Sequence, residues 1–129
     1  MVSRISHTTI DCRDAYALSE WWKGVLGYSD IPDDPNRPGD EECMIADLNS
    51  GHRLLFIEVP DTKSGKNRIH LDLAPTDGSR DEEVERVRAL GATELVDLRH
   101  PDGTGWVVFA DPEGNEFCIL RSAAERAAT

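Results

Sequence analysis

The sequence contains an internal repeat, and this repeat limits the possible folds more than any other feature. His7 and His70 lie 63 positions apart. Two further pairs of landmarks lie 64 positions apart, namely Leu26-Gly27 with Leu90-Gly91 and Ala46-Asp47 with Ala110-Asp111. A period of this length that occurs only twice does not suit a solenoid and indicates a duplicated supersecondary unit. We therefore expect two structurally equivalent halves.

Each half begins with a histidine in a run typical of a β-strand. In the second half polar and apolar side chains alternate, so that His70 and Asp72 share one face of a predicted strand. In the first half His7 and Thr9 occupy the matching positions of another predicted strand. The polar faces of these two strands are therefore candidate ligand-binding surfaces.

A helix and three strands are predicted after each histidine strand. Apolar residues at three- and four-residue spacing predict a helix over residues 15–26, with Asp14 as its N-cap and Gly27 at its end. The second helix is predicted to begin near Ser79 or Arg80, where acidic residues follow in the first turn. The remaining strands are predicted near residues 28–31, 42–48, 53–59, 93–98, 105–110 and 116–120.

This order of elements predicts an α+β fold of two tandem βαβββ modules, approximately residues 4–60 and 66–121. A helix on one face of each sheet covers the apolar side and leaves the more polar side free. With the free sides facing inward, the modules would form a curved mixed sheet around a cleft that can hold a ligand. A chain of 129 residues with 39% hydrophobic content can bury the core of one domain, so we assign residues 1–129 to a single domain.

The charge balance excludes some classes of partner. The chain has 25 acidic and 14 basic residues, and its formal charge of -11 disfavours nucleic acid and anionic membrane surfaces as partners. No apolar leader or membrane-spanning stretch is evident. The cysteines, Cys12, Cys43 and Cys118, are odd in number and widely spaced. We therefore expect a cytoplasmic protein with reduced thiols rather than a disulfide framework.

The alternation along the later strands selects further candidate residues. Phe117 and Ile119 are expected in the core, which directs Glu116, Cys118 and Leu120 towards the cleft. Along residues 53–59, one face is formed by Leu54, Phe56 and Glu58, and the other by Leu55, Ile57 and Val59.

Two imidazoles and a carboxylate from these strands would suit a divalent metal ion. Imidazole nitrogen and carboxylate oxygen bind zinc, iron, nickel or manganese. The candidate ligands are His7, His70, Glu58 and Glu116. No short motif joins them, and a single histidine on a strand is often a neutral, hydrogen-bonded side chain. The residues alone leave a metal site and a metal-free binding site both open.

Two such modules, together with the turn Asp111-Pro112-Glu113-Gly114-Asn115, resemble the vicinal oxygen chelate superfamily. This superfamily includes glyoxalase I, extradiol dioxygenases, and fosfomycin- and bleomycin-resistance proteins. The resemblance covers residues 5–121, and segments 65–73 and 103–118 resemble a glyoxalase-like subgroup. It implies the fold but no single reaction, since the same scaffold serves lyases, transferases, oxygenases and binding proteins.

The resemblance also implies where metal ligands would lie, on the first and last strand of each module. His7 and His70 occupy the first-strand positions. The last-strand positions, where the family usually has carboxylates, fall on Cys118 and near Phe56. On the same strand faces, Glu116 lies two residues before Cys118 and Glu58 lies two residues after Phe56. The conventional ligand set is therefore incomplete, although a thiolate can itself bind zinc.

The first functional hypothesis is a binding protein that resembles the bleomycin-resistance branch. It would hold a planar or cationic small molecule in the cleft between the modules, without a complete conventional metal site. The predicted ligand-binding residues are His7, Thr9, Phe56, His70, Asp72, Trp106 and Cys118.

The alternative hypothesis is a metal-dependent lyase, isomerase or dioxygenase that resembles glyoxalase I. His7, His70 and Glu116 would then hold zinc, nickel, manganese or iron, and the ion would polarise vicinal substrate oxygens. Glu58 or Glu116 would transfer a proton as the catalytic residue. The resemblance also implies a homodimer.

Overall fold

The computed structural model describes residues 1–128 and divides the chain into two compact units, Met1–Thr62 and Lys63–Thr129. Each unit contains a strand, a helix and three further strands in that order. The predicted α+β class with two tandem βαβββ modules is therefore confirmed, whereas the cleft between the modules stays a prediction. Within residues 1–128 no helix is both long enough and apolar enough to cross a membrane.

The first unit is a four-stranded mixed sheet with one helix packed on it. Its elements are β1 (Thr8–Cys12), α1 (Ala15–Leu26), β2 (Ser29–Asp30), β3 (Glu42–Ala46) and β4 (Arg53–Glu58). The strand order is β1-β4-β3-β2, in which β1 runs parallel to β4 and the other neighbours are antiparallel. Helix α1 packs on β3 and β4.

Local capping interactions set both ends of helix α1, as predicted. The Asp14 side chain accepts a hydrogen bond from the backbone N–H of Ala17 at 3.0 Å. Gly27 adopts a left-handed φ of 70°, and its N–H donates to the Lys23 carbonyl oxygen at 2.8 Å. A positive φ is inexpensive only for glycine, so the helix ends there.

The second unit repeats this order and adds a short terminal helix. Its elements are β5 (Leu71–Leu73), α2 (Arg80–Ala89), β6 (Thr93–Asp97), β7 (Val107–Ala110), β8 (Glu116–Ile119) and α3 (Ala123–Ala127). The strand order is β5-β8-β7-β6, with β5 parallel to β8. One face of this sheet forms the core, where the rings of Phe109 and Phe117 stack at 5.8 Å between centroids.

Both histidines lie one residue before the strands in which they were predicted. His7 precedes β1 and His70 precedes β5, so the repeat is preserved although the strands begin later. In the second unit the Asn67 side-chain oxygen accepts a hydrogen bond from the backbone N–H of Glu116 at 3.3 Å. Regular pairing with β8 begins at Leu71, opposite Phe117.

Phe56 lies in the core of the first unit, which corrects its assignment as a ligand-binding residue. Its side chain is 0% exposed, as is that of Leu54 on the same face of β4. Glu58 shares this face, and its Oε2 accepts a hydrogen bond from the backbone N–H of Ala15 at 3.3 Å. The face therefore points towards the start of α1, and Phe56 is not available to a ligand.

The segment that leads into β7 is held against the start of helix α2. Arg80 is 5% exposed, and its Nη1 donates to the carbonyl oxygens of Gly103, Thr104 and Gly105 at 3.0–3.1 Å. Arg99 adds contacts to Asp97 and Asp81. These bonds fix the backbone directly before Trp106.

The Asp97–Arg99 pair is expected to make the stability of the folded protein depend on pH. Arg99 lowers the pKa of the Asp97 carboxyl from 3.8 to about 2. A lowered folded-state pKa stabilises the protein above pH ~4, and this contribution disappears as the pH falls towards ~2. We expect the wild-type urea midpoint to exceed that of Asp97→Asn at pH 6, and the difference to shrink below pH ~4. The exposed Asp61→Asn variant is the control, and a difference that does not change with pH would contradict this prediction.

Candidate ligand-binding and metal site in the second unit

The second unit contains a cavity of about 450 Å³ on the open face of its sheet. The alternation of the strands creates this face, because Phe117 and Ile119 are fully buried in the core whereas Cys118, although only 4% exposed, lines the cavity on the opposite face. The lining residues are Lys66, His70, Asp72, Trp106, Val108, Glu116, Cys118 and Leu120. Five of the predicted site residues therefore meet around one cavity: His70, Asp72, Trp106, Glu116 and Cys118.

Strand register explains why three of these side chains are neighbours. Cys118 on β8 pairs with Asp72 on β5 and with Val108 on β7. Residues directly opposite one another in a sheet project their side chains on the same face. The three positions therefore form a row across the floor of the cavity.

His70, Asp72 and Cys118 form a cluster with the spacing of metal ligands. The Nε2 atom of His70 lies 3.2 Å from Oδ1 of Asp72. One donor atom from each of the three residues lies within 4.8 Å of the other two. Burial, together with the charge of Asp72 and a hydrogen bond to it, raises the pKa of the Cys118 thiol to about 11. Without an ion, Cys118 is therefore a neutral thiol.

Glu116 lies at the rim of the cavity and is engaged by two lysines. Its Oε2 accepts hydrogen bonds from Lys63 Nζ at 3.3 Å and from the backbone N–H of Asn67 at 3.1 Å, and Oε1 contacts Lys66 Nζ. The Lys66 contact and the Asn67 amide lower the pKa of the Glu116 carboxyl to about 2. A carboxylate held in this way is a weak base at neutral pH and has few lone pairs left for a metal. This geometry does not favour the predicted roles of Glu116 in proton transfer and metal binding.

Trp106 supplies the large aromatic surface of the cavity. Its side chain is 41% exposed, which is unusual for a tryptophan in a well-packed unit. Val108 and Leu120 add apolar surface beside it. The arrangement combines an aromatic wall with a few polar groups, which is typical of sites for small organic molecules.

The remaining predicted site residues belong to the first unit. His7 is half-buried, and its Nδ1 lies 3.0 Å from the Ser6 hydroxyl. Thr9 is exposed on β1, opposite Leu55 in the register. The contact of Glu58 with the first N–H group of α1 gives that carboxylate a structural role, because negative charge is favourable at a helix N-terminus.

Lys63 and Lys66 were absent from the sequence-based site. Both lie in a polar segment rich in turn-forming residues, which the pattern indicated only as a joint between the modules. Their partner Glu116 is 53 and 50 residues away in the chain, so no local spacing shows the contact. The available signal was the glutamate itself, since an inward-facing carboxylate of low exposure requires a partner.

Comparisons with known proteins agree with this architecture. The profile of the glyoxalase-like domain matches residues 7–120. FosX from Listeria monocytogenes, a fosfomycin resistance protein solved with Mn(II) and 1S,2S-dihydroxypropylphosphonic acid, is 20% identical with a TM-score of 0.70, covering 98% of this chain and 95% of that chain. FosX from Mesorhizobium loti is 18% identical with a TM-score of 0.67 over the full length of both chains.

A glyoxalase/bleomycin resistance protein/dioxygenase family enzyme from Burkholderia phytofirmans is also similar. It is 19% identical with a TM-score of 0.68, covering 91% of this chain and 97% of that chain. A comparison with curated protein sequences gives no match. The fold and the repeated modules place the protein in the vicinal oxygen chelate superfamily. Within it, the chain belongs to the glyoxalase-like domain family.

Proposed function

We propose that the protein binds a small organic molecule in the cavity of the second unit, with a planar group of the ligand against Trp106. The observation that carries this proposal is a cavity of about 450 Å³ with an exposed indole beside apolar side chains. Aromatic side chains contribute large contact areas and favour offset-stacked or edge-to-face rings. Molecules with one or two fused rings suit a cavity of this size.

Polar groups at the cavity would orient such a ligand. His70 and Asp72 are both exposed and provide a donor and an acceptor close together. The Lys66 ammonium group contacts Glu116, which leaves a rim with opposite charges side by side. This rim favours a ligand that carries hydrogen-bonding substituents over one that is purely apolar.

Binding does not require the conventional metal set implied by the family. The position where the family usually has a carboxylate is Cys118 here, and the nearby Glu116 contacts Lys63, Lys66 and the Asn67 amide. Recognition of an aromatic ligand by Trp106 needs no ion. We therefore favour a binding function over a reaction that depends on the conventional site.

Tryptophan fluorescence provides the test of this proposal. Planar aromatic amines and carboxylates are titrated into wild-type protein and into Trp106→Phe. We expect a ligand that quenches the wild-type emission and loses this effect in the variant, because the indole of Trp106 is in contact with it. In Trp106→Ala, calorimetry is expected to show an affinity about tenfold weaker.

Trp21→Phe is the matched control, since Trp21 lies on α1 in the first unit and its ring packs on Trp22 at 5.3 Å. The control is expected to keep both the quenching and the affinity. Binding that is unchanged in Trp106→Ala, or quenching that disappears in the control instead, would contradict the proposed site.

A metal-dependent lyase or isomerase is the second candidate function. The cluster of His70, Asp72 and Cys118 favours it, because these are donors that bind a divalent ion beside a cavity. A bound ion would polarise substrate oxygens. In this case the protein would hold one ion per chain, and His70→Ala would lose both the ion and turnover of glyoxalase-type substrates. Full turnover by protein that has been freed of metal would contradict this candidate.

The homodimer and the cytoplasmic location are part of the same proposal. All five residues of the edge strand β6 are exposed, including Leu95 and Val96, which supports an interface along this edge. The free cysteines suit a reducing compartment. Sedimentation at several protein concentrations tests the assembly, and a monomer at all of them would contradict it.

A further inference from the structure

We propose that the ligand is an elongated amphipathic molecule whose hydrogen-bonding end lies over strands β5 and β8 and whose apolar end lies over strand β6. This ligand class rests on the proposed function, because it specifies the chemistry and the orientation of the molecule that binds beside Trp106. It follows from the distribution of polar and apolar side chains across the open face of the second sheet.

One row of side chains crosses this face from a polar end to an apolar end. Asp72 on β5 pairs with Cys118 on β8, and Cys118 pairs with Val108 on β7. Val108 in turn pairs with Val96 on β6. Residues opposite one another in a sheet project on the same face. The row therefore crosses all four strands of the sheet, a distance of about 14 Å, and runs from an exposed carboxylate to an exposed aliphatic side chain.

The apolar end of the face continues beyond the cavity. The backbone N–H of Leu98 donates to the Trp106 carbonyl oxygen at 2.8 Å, which places Leu98 opposite Trp106. Val96 is 47% exposed and Leu98 is 38% exposed. They lie beside Trp106 and Val108, which line the cavity. We call this continuous apolar surface the apolar strip: Val96, Leu98, Trp106 and Val108.

A β-bulge in β6 keeps a charged side chain away from the apolar strip. Regular alternation would place Glu94 and Val96 on the same face. The register shifts between these two residues, so that Glu94 is opposite the buried Phe109 whereas Val96 is opposite Val108. Glu94 therefore faces helix α2, where its carboxylate pairs with Arg88. Bulges beside functional sites often redirect side chains in this way, and here the bulge leaves the open face of β6 apolar.

The opposite end of the face supplies hydrogen-bonding groups. Lys66, His70 and Asp72 are all exposed, and all three line the cavity. A neutral group that both donates and accepts hydrogen bonds, such as a carboxamide, complements them. An apolar group at this end would instead remove polar side chains from water without replacing their hydrogen bonds, which is unfavourable. The two ends of the face therefore select one orientation of an amphipathic ligand.

A second copy of the chain is the competing occupant of the apolar strip. Pairing along the edge of β6 would use the free backbone groups of that strand and leave the open face accessible. The proposed homodimer therefore does not require the strip to be covered. Packing of two open faces against one another, in contrast, would cover Val96 and Leu98. A substitution at Leu98 distinguishes these possibilities.

The experiment measures by calorimetry the affinity of a series of para-alkylbenzamides, from benzamide to para-butylbenzamide. In the wild type each added methylene is expected to strengthen binding by up to about fourfold, and the butyl chain by at least ~10-fold in total. Leu98→Ser is expected to reduce this gain at least ~3-fold and to leave the affinity for benzamide unchanged. Leu90→Ser is the matched control, because Leu90 is 39% exposed but lies at the end of helix α2. It should keep the full gain.

Asp72→Ala tests the orientation of the ligand. Because the amide end is expected over β5, this variant should weaken every member of the series by the same factor, about 3- to 10-fold. The gain per methylene should stay unchanged. A loss of affinity that grows with the length of the alkyl chain would place the apolar end over β5 and overturn the proposed orientation.

Trp106→Ala separates this inference from the proposed function, since it should weaken the binding of every member, including benzamide. Binding that depends on Trp106 but does not strengthen with chain length, or an equal gain in the wild type and in Leu98→Ser, would overturn the inference alone. Failure of every member to bind, or binding that is unchanged in Trp106→Ala, would overturn the proposed function as well. If sedimentation shows that Leu98→Ser loses self-association while the alkyl gain is kept, the apolar strip contacts a second copy and the inference is wrong. Circular dichroism confirms that the variants are folded.

Discussion

Replacing Gly105 with alanine is expected to lower the free energy of unfolding by about 3 kcal/mol or more. Gly105 has a φ of +92°, and a Cβ atom there would lie 2.0 Å from the carbonyl oxygen of Leu98. The contact is with backbone, so it cannot be relieved by rotating a side chain. Either the segment around Leu98 moves or the start of β7 does.

Gly103 is the matched control for this prediction. Its φ is +91°, almost the same as that of Gly105, but a Cβ atom there would meet nothing within 4 Å. Gly103→Ala therefore carries the cost of the backbone conformation alone, about 1–2 kcal/mol. Urea denaturation of both variants separates the close approach from the conformation. If both variants lose the same free energy of unfolding, the close approach of residue 105 to the Leu98 carbonyl oxygen does not contribute to the destabilisation.

Gly105→Ala also connects the stability of the unit with the proposed binding site. Gly105 directly precedes Trp106, and the backbone N–H of Leu98 donates to the Trp106 carbonyl oxygen at 2.8 Å. A displacement at Gly105 therefore changes the direction of the indole at the wall of the cavity. In Gly105→Ala we expect weaker ligand quenching even at temperatures where the protein remains folded.

The sequence predicted those parts of the fold that depend on local chemistry. Asp14 and Gly27 cap the first helix because an acceptor side chain and a left-handed residue satisfy its ends, and both interactions occur within a few residues. The second helix begins at Arg80, within its predicted start near Ser79 or Arg80, and the structure adds a capping box between Ser79 and Glu82. Strand alternation correctly placed Phe117 in the core, and the neighbouring Cys118 lines the cavity.

The parts of the site that could not be predicted depend on contacts between distant residues. The alternation along β4 separated its two faces, but only the position of α1 shows that Phe56 is on the buried one. The low pKa of Glu116 depends on lysines about fifty residues earlier in the chain. The pairing of Asp72 with Cys118 depends on the register of β5 and β8, which the sequence of neither strand determines alone.

Arg80→Met is expected to destabilise the protein by about 2–3 kcal/mol, because a charged donor to three carbonyl groups is lost. Methionine retains most of the buried aliphatic part of the arginine side chain. The loss of unfolding free energy therefore measures the polar contacts rather than packing. Arg86→Met on the same helix is the control, since its guanidinium pairs with Glu83 at the surface, and a change within ~1 kcal/mol is expected.

The Arg80 variant also tests how the cavity wall is supported. The carbonyl groups that Arg80 holds belong to the residues directly before Trp106. If this support sets the orientation of the indole, Arg80→Met will shift the emission of Trp106 and weaken ligand quenching, whereas Arg86→Met will change neither. Urea denaturation and fluorescence titration of the same samples measure both effects. Loss of stability without any change in emission or quenching would show that the buried arginine stabilises the unit but does not position Trp106.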